Sequence, residues 1–179
     1  AKVVVSARTA ESGESRLPGT LHDTVERIKK AGGHAAFIKA DLAQASERER
    51  LVEEAEATFG PIDILINNAA ITYFIPVEEF PEKRFKLMME VQVYAPFHLS
   101  QLVLPGMRAR KQGWIVNISS PAGIHPQKPY RGGRGGTVYG MCKAALERFS
   151  TGLASEVYDD GIAVNVVSPG LVDTPGVAV

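Results

Sequence analysis

Five short apolar runs, rich in β-branched residues, are spaced along the chain and separated by longer stretches of helical character. Runs of this kind are typical of buried strands in a parallel sheet, because helices cover both faces of such a sheet. The alternation of strands and helices therefore predicts an α/β fold with a parallel sheet between helical layers. The five runs are residues 2–6, 35–38, 62–66, 114–118 and 162–167.

The helices between these runs have recognisable ends. A helix over about 20–31 is expected to stop at Gly32-Gly33, since glycine is the usual residue just beyond a helix. Ser46 is followed three residues later by Glu49, which matches a capping box and predicts that the second helix begins there. A long helix is predicted after Pro81, and another over about 138–157.

The fourth run leads to the residues that most strongly suggest chemistry. It ends at Ser119-Ser120, and open α/β sheets bind ligands at the carboxyl ends of their strands. Tyr139 and Lys143 follow four residues apart, which places them side by side on one face of a helix. A neighbouring ammonium favours the phenolate, so the pair could act as a general acid or base. The same spacing also describes a surface lysine one turn after a tyrosine.

Composition and charge exclude several classes of protein. The chain has 179 residues, 45% of them hydrophobic and 22% charged, which predicts at most a single globular domain over 1–179. Its net charge of zero gives no electrostatic reason to expect nucleic acid or membrane as a partner. Cys142 is the only cysteine, so no internal disulfide is possible. Without a signal pattern or a long apolar run, we expect a cytoplasmic protein. No metal site is predicted.

Taken in order, the motifs resemble those of the short-chain dehydrogenase/reductase family. The resemblance implies an incomplete Rossmann-type fold, doubly wound, with three α/β/α layers. It also implies an NAD(P)-dependent oxidoreductase that moves hydride between nicotinamide and a small-molecule alcohol or carbonyl substrate, and a homo-oligomer, either a dimer or a tetramer. The matching segments are Asp41-Leu42, Asn67-Asn68-Ala69-Ala70, Ile115–Ser120, Tyr139 with Lys143, and Ser168-Pro169-Gly170 with Thr174.

By resemblance, four residues form the catalytic set. Tyr139 would exchange a proton with the substrate oxygen, and Lys143 would favour the phenolate and hold the nicotinamide ribose. Ser120 would donate a hydrogen bond to the substrate oxygen; it is chosen over Ser119 because Ser120-Pro-Ala-Gly123 matches the family's Ser-x-x-Gly. Gln92 stands where the family has a catalytic asparagine.

The resemblance also predicts the cofactor contacts. Asp41 could be simply a turn residue, and Asn68 could simply satisfy backbone groups after its strand. In the family, the matching positions border the adenine and line the cofactor, while the segment after the last run holds its nicotinamide end. The residues so predicted, besides Tyr139 and Lys143, are Asp41, Leu42, Asn68, Ala69, Pro169, Gly170, Val172 and Thr174.

Arg8 bears on the choice of cofactor. Family members that use NAD usually carry an acidic residue at the end of this strand, whereas this chain has Ala7 followed by Arg8. A carboxylate would repel a 2′-phosphate, and a guanidinium can pair with it. The alternative is a solvated arginine at a strand end. The sequence therefore favours NADP over NAD.

Gln92 is the departure that matters most. It falls on the apolar stripe of its helix, where a buried amide needs partners, so it could also be a purely structural glutamine. Pro96 lies four residues later and has no N–H to give to the Gln92 carbonyl. We therefore expect the helix to be disturbed there and the Gln92 carbonyl to be free. In the family, this region of the helix helps to hold a water that relays protons to the active-site lysine, so the resemblance implies that the freed carbonyl binds such a water within reach of Lys143.

The resemblance matches run 2–6 to the family's second strand. The family's first strand, its pyrophosphate-binding glycine turn and its last strand would then lie outside this sequence. We therefore expect an excerpt of a longer protein that cannot grip a dinucleotide normally by itself. Residues 7–20 resemble hydroxysteroid-dehydrogenase-like and citronellol-dehydrogenase-like members, which hints at a lipophilic substrate.

The stretch Arg131-Gly-Gly-Arg-Gly-Gly136 lies in a connection longer than the family norm. It could be an RNA-binding Arg-Gly-Gly segment, but it has little aromatic interleaving and the chain has no net positive charge. An insertion that shapes substrate access is the favoured interpretation. A further alternative is a non-catalytic relative that binds cofactor or partners, for which Gln92 is the only support.

Overall fold

The computed structural model describes residues 1–14, 19–126, 134–170 and 172. The chain forms two compact units, which divide after Pro61. Each unit contains its own parallel sheet, with two strands in the first unit and three in the second.

The first unit follows the predicted alternation. Its elements are β1 (Lys2–Ala7), α1 (Leu21–Lys30), β2 (His34–Lys39) and α2 (Ala45–Phe59). Strands β1 and β2 pair in parallel, with Val4 opposite Ala36. A capping box does occur in this unit, but at α1. Thr20 Oγ1 accepts from the Asp23 N–H at 3.0 Å, and the Asp23 carboxylate accepts from the Thr20 N–H at 3.1 Å.

The capping box predicted at Ser46 is wrong. Helix α2 begins at Ala45, so Ser46 lies inside its first turn. The chain has already turned into the helix at Asp41, whose carboxylate accepts from the Ala43 N–H at 3.1 Å and whose carbonyl accepts from the Gln44 N–H at 2.9 Å. This turn fixes the start of the helix, because an Asp side chain bonded two residues ahead is itself a turn former.

The second unit places β4 in the middle of a parallel sheet of order β3-β4-β5. In the register, Val116 of β4 lies between Ile66 and Asn165. The strand β3 begins two residues later than predicted. The elements are β3 (Ile64–Asn67), α3 (Glu82–Met89), α4 (Ala95–Arg110), β4 (Gly113–Ile118), α5 (Thr137–Glu156) and β5 (Ile162–Val167).

The helix predicted after Pro81 is interrupted. A π-helical turn, Glu90–Tyr94, separates α3 from α4, and the Ala95 N–H bonds to the Glu90 carbonyl five residues back. The interruption lies where Pro96 predicts it, because proline cannot supply the next α-helical hydrogen bond. Pro96 itself fits within the first turn of α4, where no N–H is needed.

A buried polar chain ties the second sheet to α5. Asn67 donates to the Asn117 side chain at 2.8 Å, Asn117 donates to Ser150 at 2.8 Å, and Ser150 donates to the Leu146 carbonyl at 2.7 Å. These bonds satisfy side chains that would be costly to bury without partners. Asn117, at the centre of this chain of bonds, therefore has a structural role. In the part of the chain that the structure describes, no helix has the length and apolar character needed to span a membrane.

Candidate active site

Ser120 is held against the first turns of α5. It caps the short 3₁₀ turn Pro121–Gly123, and its Oγ accepts from the Ala122 N–H at 3.2 Å. Two glycines allow this close packing. A Cβ at Gly140 would lie 2.7 Å from the Ala122 carbonyl oxygen, and one at Gly123 would lie 3.2 Å from the backbone nitrogen of Ala144. The end of β4 is therefore fixed beside the helical turns that carry Tyr139 and Lys143.

Lys143 is buried, with only 3% of its surface exposed. Its Nζ donates to the Ile118 carbonyl at 2.9 Å and lies 5.6 Å from the centroid of the Tyr139 ring. Burial lowers the pKa of Lys143 from its ordinary value, and the adjacent Cys142 opposes this shift. Lysine side chains are rarely buried in proteins. Titratable groups whose pKa values are shifted by burial cluster at functional sites.

Tyr139 is half-buried at the edge of a small apolar cluster. Its ring packs on the cluster formed by Met88, Val138 and Cys142. The ring of Phe74 meets it edge-on, with centroids 6.2 Å apart and an interplanar angle of 63°. Edge-to-face contacts of this kind are a preferred arrangement of two rings and add about 0.5–1.5 kcal/mol. The structure thus brings Ser120, Tyr139 and Lys143 to the same end of β4.

The neighbouring Ser119 has a different environment from Ser120. It is buried, and its Oγ donates to the Glu147 carboxylate at 2.6 Å. The Ser119 hydroxyl hydrogen is thus already used in a hydrogen bond. Ser120 Oγ acts as an acceptor within the loop and keeps its own hydrogen to donate.

Sequence reasoning missed Glu147. It lies four residues after Lys143, so the repeated spacing on one face of α5 could have revealed it.

Gln92 is almost completely buried, with 1% of its surface exposed. It belongs to the π-helical turn, which packs against α5. Its Nε2 donates to the Ile71 carbonyl at 2.7 Å, and its Oε1 has no hydrogen-bond partner among the described residues. Because a carbonyl can only accept, Ile71 fixes which end of the amide is which. An unsatisfied buried acceptor costs about 1–3 kcal/mol, so this oxygen marks a place where a donor would be favourable.

The other predicted cofactor contacts of the second unit follow β3 and β5. Asn68 and Ala69 are exposed just beyond β3, while Pro169 is half-buried and Gly170 exposed beyond β5. Because β3, β4 and β5 are parallel, these residues lie at the same end of the sheet as Ser120, where the strands have their carboxyl ends. Val172 is exposed. The predicted contact at Thr174 lies outside the described residues, as do Arg131, Gly132 and Gly133 of the glycine-rich stretch.

The first unit has a groove of ≈ 620 Å³ at the carboxyl ends of its strands. Arg8 is exposed there, directly after β1. Leu42 is half-buried, and its carbonyl accepts from the buried Arg48 at 2.5 Å. Arg8 and Asp41, both predicted as cofactor contacts, line this same groove. The groove is lined by Arg8, Phe37, Ile38, Lys39, Ala40, Asp41, Glu47, Arg50 and Glu54.

Most of the charges in this groove are paired. Lys39 contacts Glu14 at 2.6 Å, and this bond, with two backbone N–H bonds, lowers the pKa of Glu14 to about 2. Arg50 contacts both Glu47 and Glu54, at 2.7 and 2.9 Å, and its hydrogen bond lowers the pKa of Glu47.

Arg8 differs from the other groove cations, because it forms no ion pair with any other described residue. Its guanidinium is thus free to bind an anion that enters the groove, and its planar donors suit a phosphate. These residues fit the adenosine 2′-phosphate end of a dinucleotide.

Comparison with known proteins identifies the family. The family model described as short chain dehydrogenase matches residues 1–178. The chain belongs to this family, as the sequence motifs predict. It is 38% identical over 178 residues to an uncharacterized oxidoreductase of Thermotoga maritima, a match that covers 98% of the chain and 64% of that relative. It is 32% identical to the hydroxysteroid dehydrogenase-like protein 2 of Xenopus tropicalis, covering 94% of the chain and 39% of that relative.

Solved structures agree with this family and with the predicted fold class. A metagenomic short-chain oxidoreductase in complex with NADP superposes with a TM-score of 0.83 at 30% identity, covering 98% of this chain and 74% of that one. A gluconate 5-dehydrogenase from Burkholderia cenocepacia, in complex with NADP and tartrate, gives a TM-score of 0.79 at 26% identity, covering 97% and 63%. The prediction of a Rossmann-type α/β fold is confirmed. The chain spans less than two thirds of the length of the first curated relatives that it matches.

Proposed function

We propose that the full-length natural protein is an NADP-dependent oxidoreductase that interconverts an alcohol and the corresponding carbonyl compound. One observation carries this proposal: the buried ammonium of Lys143 is fixed on the Ile118 carbonyl beside Tyr139, at the strand end that also presents Ser120. A buried cation next to a phenol favours the phenolate, the form that can accept a proton.

The proposed roles follow from this arrangement. Tyr139 takes the proton of the alcohol O–H as hydride leaves the carbinol carbon, and it returns a proton to the oxygen in the reverse direction. The nicotinamide, when bound, supplies the hydride acceptor or donor. Ser120 donates a hydrogen bond to the substrate oxygen, and Lys143 stabilises the phenolate and holds the nicotinamide ribose.

The preference for NADP rests on Arg8. Its guanidinium stands in the groove of the first unit with Asp41, while the other groove cations are engaged by carboxylates. Two structurally similar proteins are solved with NADP, which supports the same choice. The remaining cofactor contacts proposed are Leu42, Asn68, Ala69, Pro169, Gly170, Val172 and Thr174. A homo-oligomer in the cytoplasm stays a prediction.

The test is Tyr139→Phe in the full-length natural protein. The variant keeps the ring and loses the transferable proton, so turnover should fall by about 10²–10⁴-fold while NADP binding survives. Turnover is followed by the absorbance of the reduced cofactor with a panel of alcohols, and binding by calorimetry. Tyr158→Phe is the matched control, because Tyr158 is strongly exposed and has no proposed role in catalysis or cofactor binding.

Two outcomes would change the proposal. Near-normal turnover by Tyr139→Phe would exclude the proposed mechanism. NADP binding without turnover of any alcohol or carbonyl compound by the wild-type protein would favour the alternative of a non-catalytic relative. That alternative draws on one observation, namely that Gln92 stands at the position of the family's catalytic asparagine.

Lys143→Ala should impair both turnover and cofactor binding, since Lys143 is proposed to act in both.

A further inference from the structure

We infer that Phe74 forms an apolar wall of the substrate site beside Tyr139, and that Gly135 holds it there. The substrate class that fits this wall is an alcohol or carbonyl compound with an extended apolar substituent. This inference rests on the proposed function, in which Tyr139 marks the position of the substrate oxygen.

Phe74 is the exposed aromatic residue that contacts the proposed acid–base group. Its ring meets the Tyr139 ring edge-on at 6.2 Å, yet 67% of its surface is exposed. An aromatic side chain that contacts one neighbouring ring edge-on and leaves most of its surface in water has apolar area to offer a ligand. A substrate whose oxygen lies at Tyr139 would therefore meet Phe74 with its adjoining carbon chain.

Gly135 fixes the backbone that carries Phe74. Gly135 is buried, and its φ of +94° is one that residues with a side chain rarely adopt. A Cβ at this position would lie 2.5 Å from the carbonyl carbon of Phe74 and 2.6 Å from the nitrogen of Ile75. The end of the glycine-rich stretch is thus packed directly on the loop after β3. Any side chain here would push Phe74 away from its present position.

A second contact joins the same two segments but contributes less. The guanidinium of Arg134 contacts the Glu78 carboxylate at 2.6 Å, and both side chains are exposed. Exposed ion pairs add little stability, because water and salt screen them and both side chains lose freedom. The packing of Gly135, not the ion pair of Arg134, is therefore the main restraint on Phe74.

The surroundings of Tyr139 favour an apolar substituent over a charged one. Phe74 lies on the loop after β3, and Ile124 lies on the loop after β4. Since these two strands are adjacent and parallel, both loops lie at the carboxyl end of the sheet. Ile124 is 60% exposed, so each loop presents a large apolar side chain. Neither 71–76 nor 120–124 contains a charged residue. Neither segment therefore offers an ion pair to a carboxylate or phosphate on the substrate.

The experiment measures how affinity depends on the length of an alkyl chain. Alkan-2-ols from propan-2-ol to decan-2-ol are titrated against the full-length protein carrying Tyr139→Phe, with NADP present, so that binding is observed without turnover. Each methylene buried against the wall should raise affinity by up to about fourfold. Phe74→Ala in this background should weaken binding of decan-2-ol by about tenfold and leave propan-2-ol nearly unchanged, whereas Phe74→Leu should restore much of the loss.

Gly135→Ala should reproduce the effect of Phe74→Ala on the long alcohols. The matched control is Gly136→Ala, because a Cβ there meets nothing within 4 Å and the φ of Gly136 is −79°. Combined with Phe74→Ala, the Gly135→Ala change should cause no additional loss, since the side chain that it displaces is already absent. Circular dichroism and NADP affinity check that each variant is folded. If Gly135→Ala does not fold, the apolar wall is tested by Phe74→Ala and Phe74→Leu alone.

The outcomes separate this inference from the proposed function. Affinity that is independent of chain length, or a length dependence that survives Phe74→Ala, overturns the apolar wall. Equal effects of Gly135→Ala and Gly136→Ala overturn the positioning role. If affinity follows chain length through Phe74 but the wild-type protein turns over none of these alcohols, the wall stands and the proposed reaction fails.

Discussion

Lys143 shows how much the setting of one residue changes its chemistry. The other lysines that the structure describes are exposed, whereas Lys143 is buried and bonded to a strand carbonyl. Burial disfavours the charged form and lowers its pKa. Keeping an ammonium group buried here costs stability. Such a cost is consistent with a functional role for the charge, namely its interaction with the neighbouring Tyr139.

The cofactor preference can be tested at a single residue. Arg8→Ala in the full-length natural protein should weaken NADP binding by on the order of 1–3 kcal/mol, which is about fivefold to more than a hundredfold, and leave NAD nearly unchanged. The physical reason is the loss of a charge-assisted pair with the 2′-phosphate. Titration with both cofactors, monitored by fluorescence, gives the two dissociation constants.

Arg27→Ala is the control for this measurement, because Arg27 is another exposed arginine, in the last turn of α1, that does not line the groove. It should change neither constant appreciably. An equal loss of both cofactors in Arg8→Ala, or no loss at all, would leave Arg8 as a solvated residue at a strand end.

Among the elements, the π-helical turn Glu90–Tyr94 has the most direct bearing on the site. It places Gln92 in the interior, packs against α5, and exists because Pro96 cannot continue the α-helical bonding. Turns of this type are frequent at functional sites, since they re-aim side chains and carbonyls. The sequence predicts that the freed Gln92 carbonyl binds a water within reach of Lys143.

This prediction is tested with two substitutions. Pro96→Ala restores an N–H, lets α-helical bonding re-form and should slow turnover by up to about tenfold, because the water that relays protons loses its acceptor. Gln92→Asn keeps the backbone carbonyl and should change turnover only modestly. Steady-state kinetics of the full-length protein across pH, with saturating cofactor, provide the comparison.

Pro105→Ala is the matched control, because Pro105 is an exposed proline inside α4 and far along the helix from Gln92. It should restore a helical bond without slowing turnover. A crystal structure of the full-length protein in which the Gln92 carbonyl points away from Lys143, with no water between them, would contradict the relay.

At the scale of the whole molecule, both sheets have unpaired edges within the described residues, and β1 and β3 are two of the edge strands. There β1 pairs only with β2, and β3 pairs only with β4. Ile64 and Ile66 of β3 are exposed large apolar side chains. Unpaired backbone groups beside exposed apolar residues favour association with other chains.

The 179-residue chain expressed by itself should therefore be aggregated or poorly folded. Size-exclusion chromatography with light scattering, together with thermal unfolding, measures this directly. Ile66→Lys should reduce the aggregation, because a charge on an edge strand hinders edge-to-edge pairing. A monodisperse sample of the unmodified chain with one cooperative transition would contradict the prediction.

The sequence by itself determined the order of strands and helices, the family, and the placement of Tyr139 and Lys143 on one helical face. It could do so because β-branched runs and a four-residue spacing act within a few residues of one another. Even here a local signal misled at Ser46, where the turn at Asp41 starts the helix first.

Only the tertiary structure decided which of these side chains are buried and what they contact. The bond from Ser119 to Glu147 spans 28 residues, that from Gln92 to the Ile71 carbonyl 21, and the packing of Gly135 on Phe74 joins the ends of two separate loops. The physical reason is that burial and partner choice arise from segments far apart in the chain, whose approach is set by packing rather than by local periodicity.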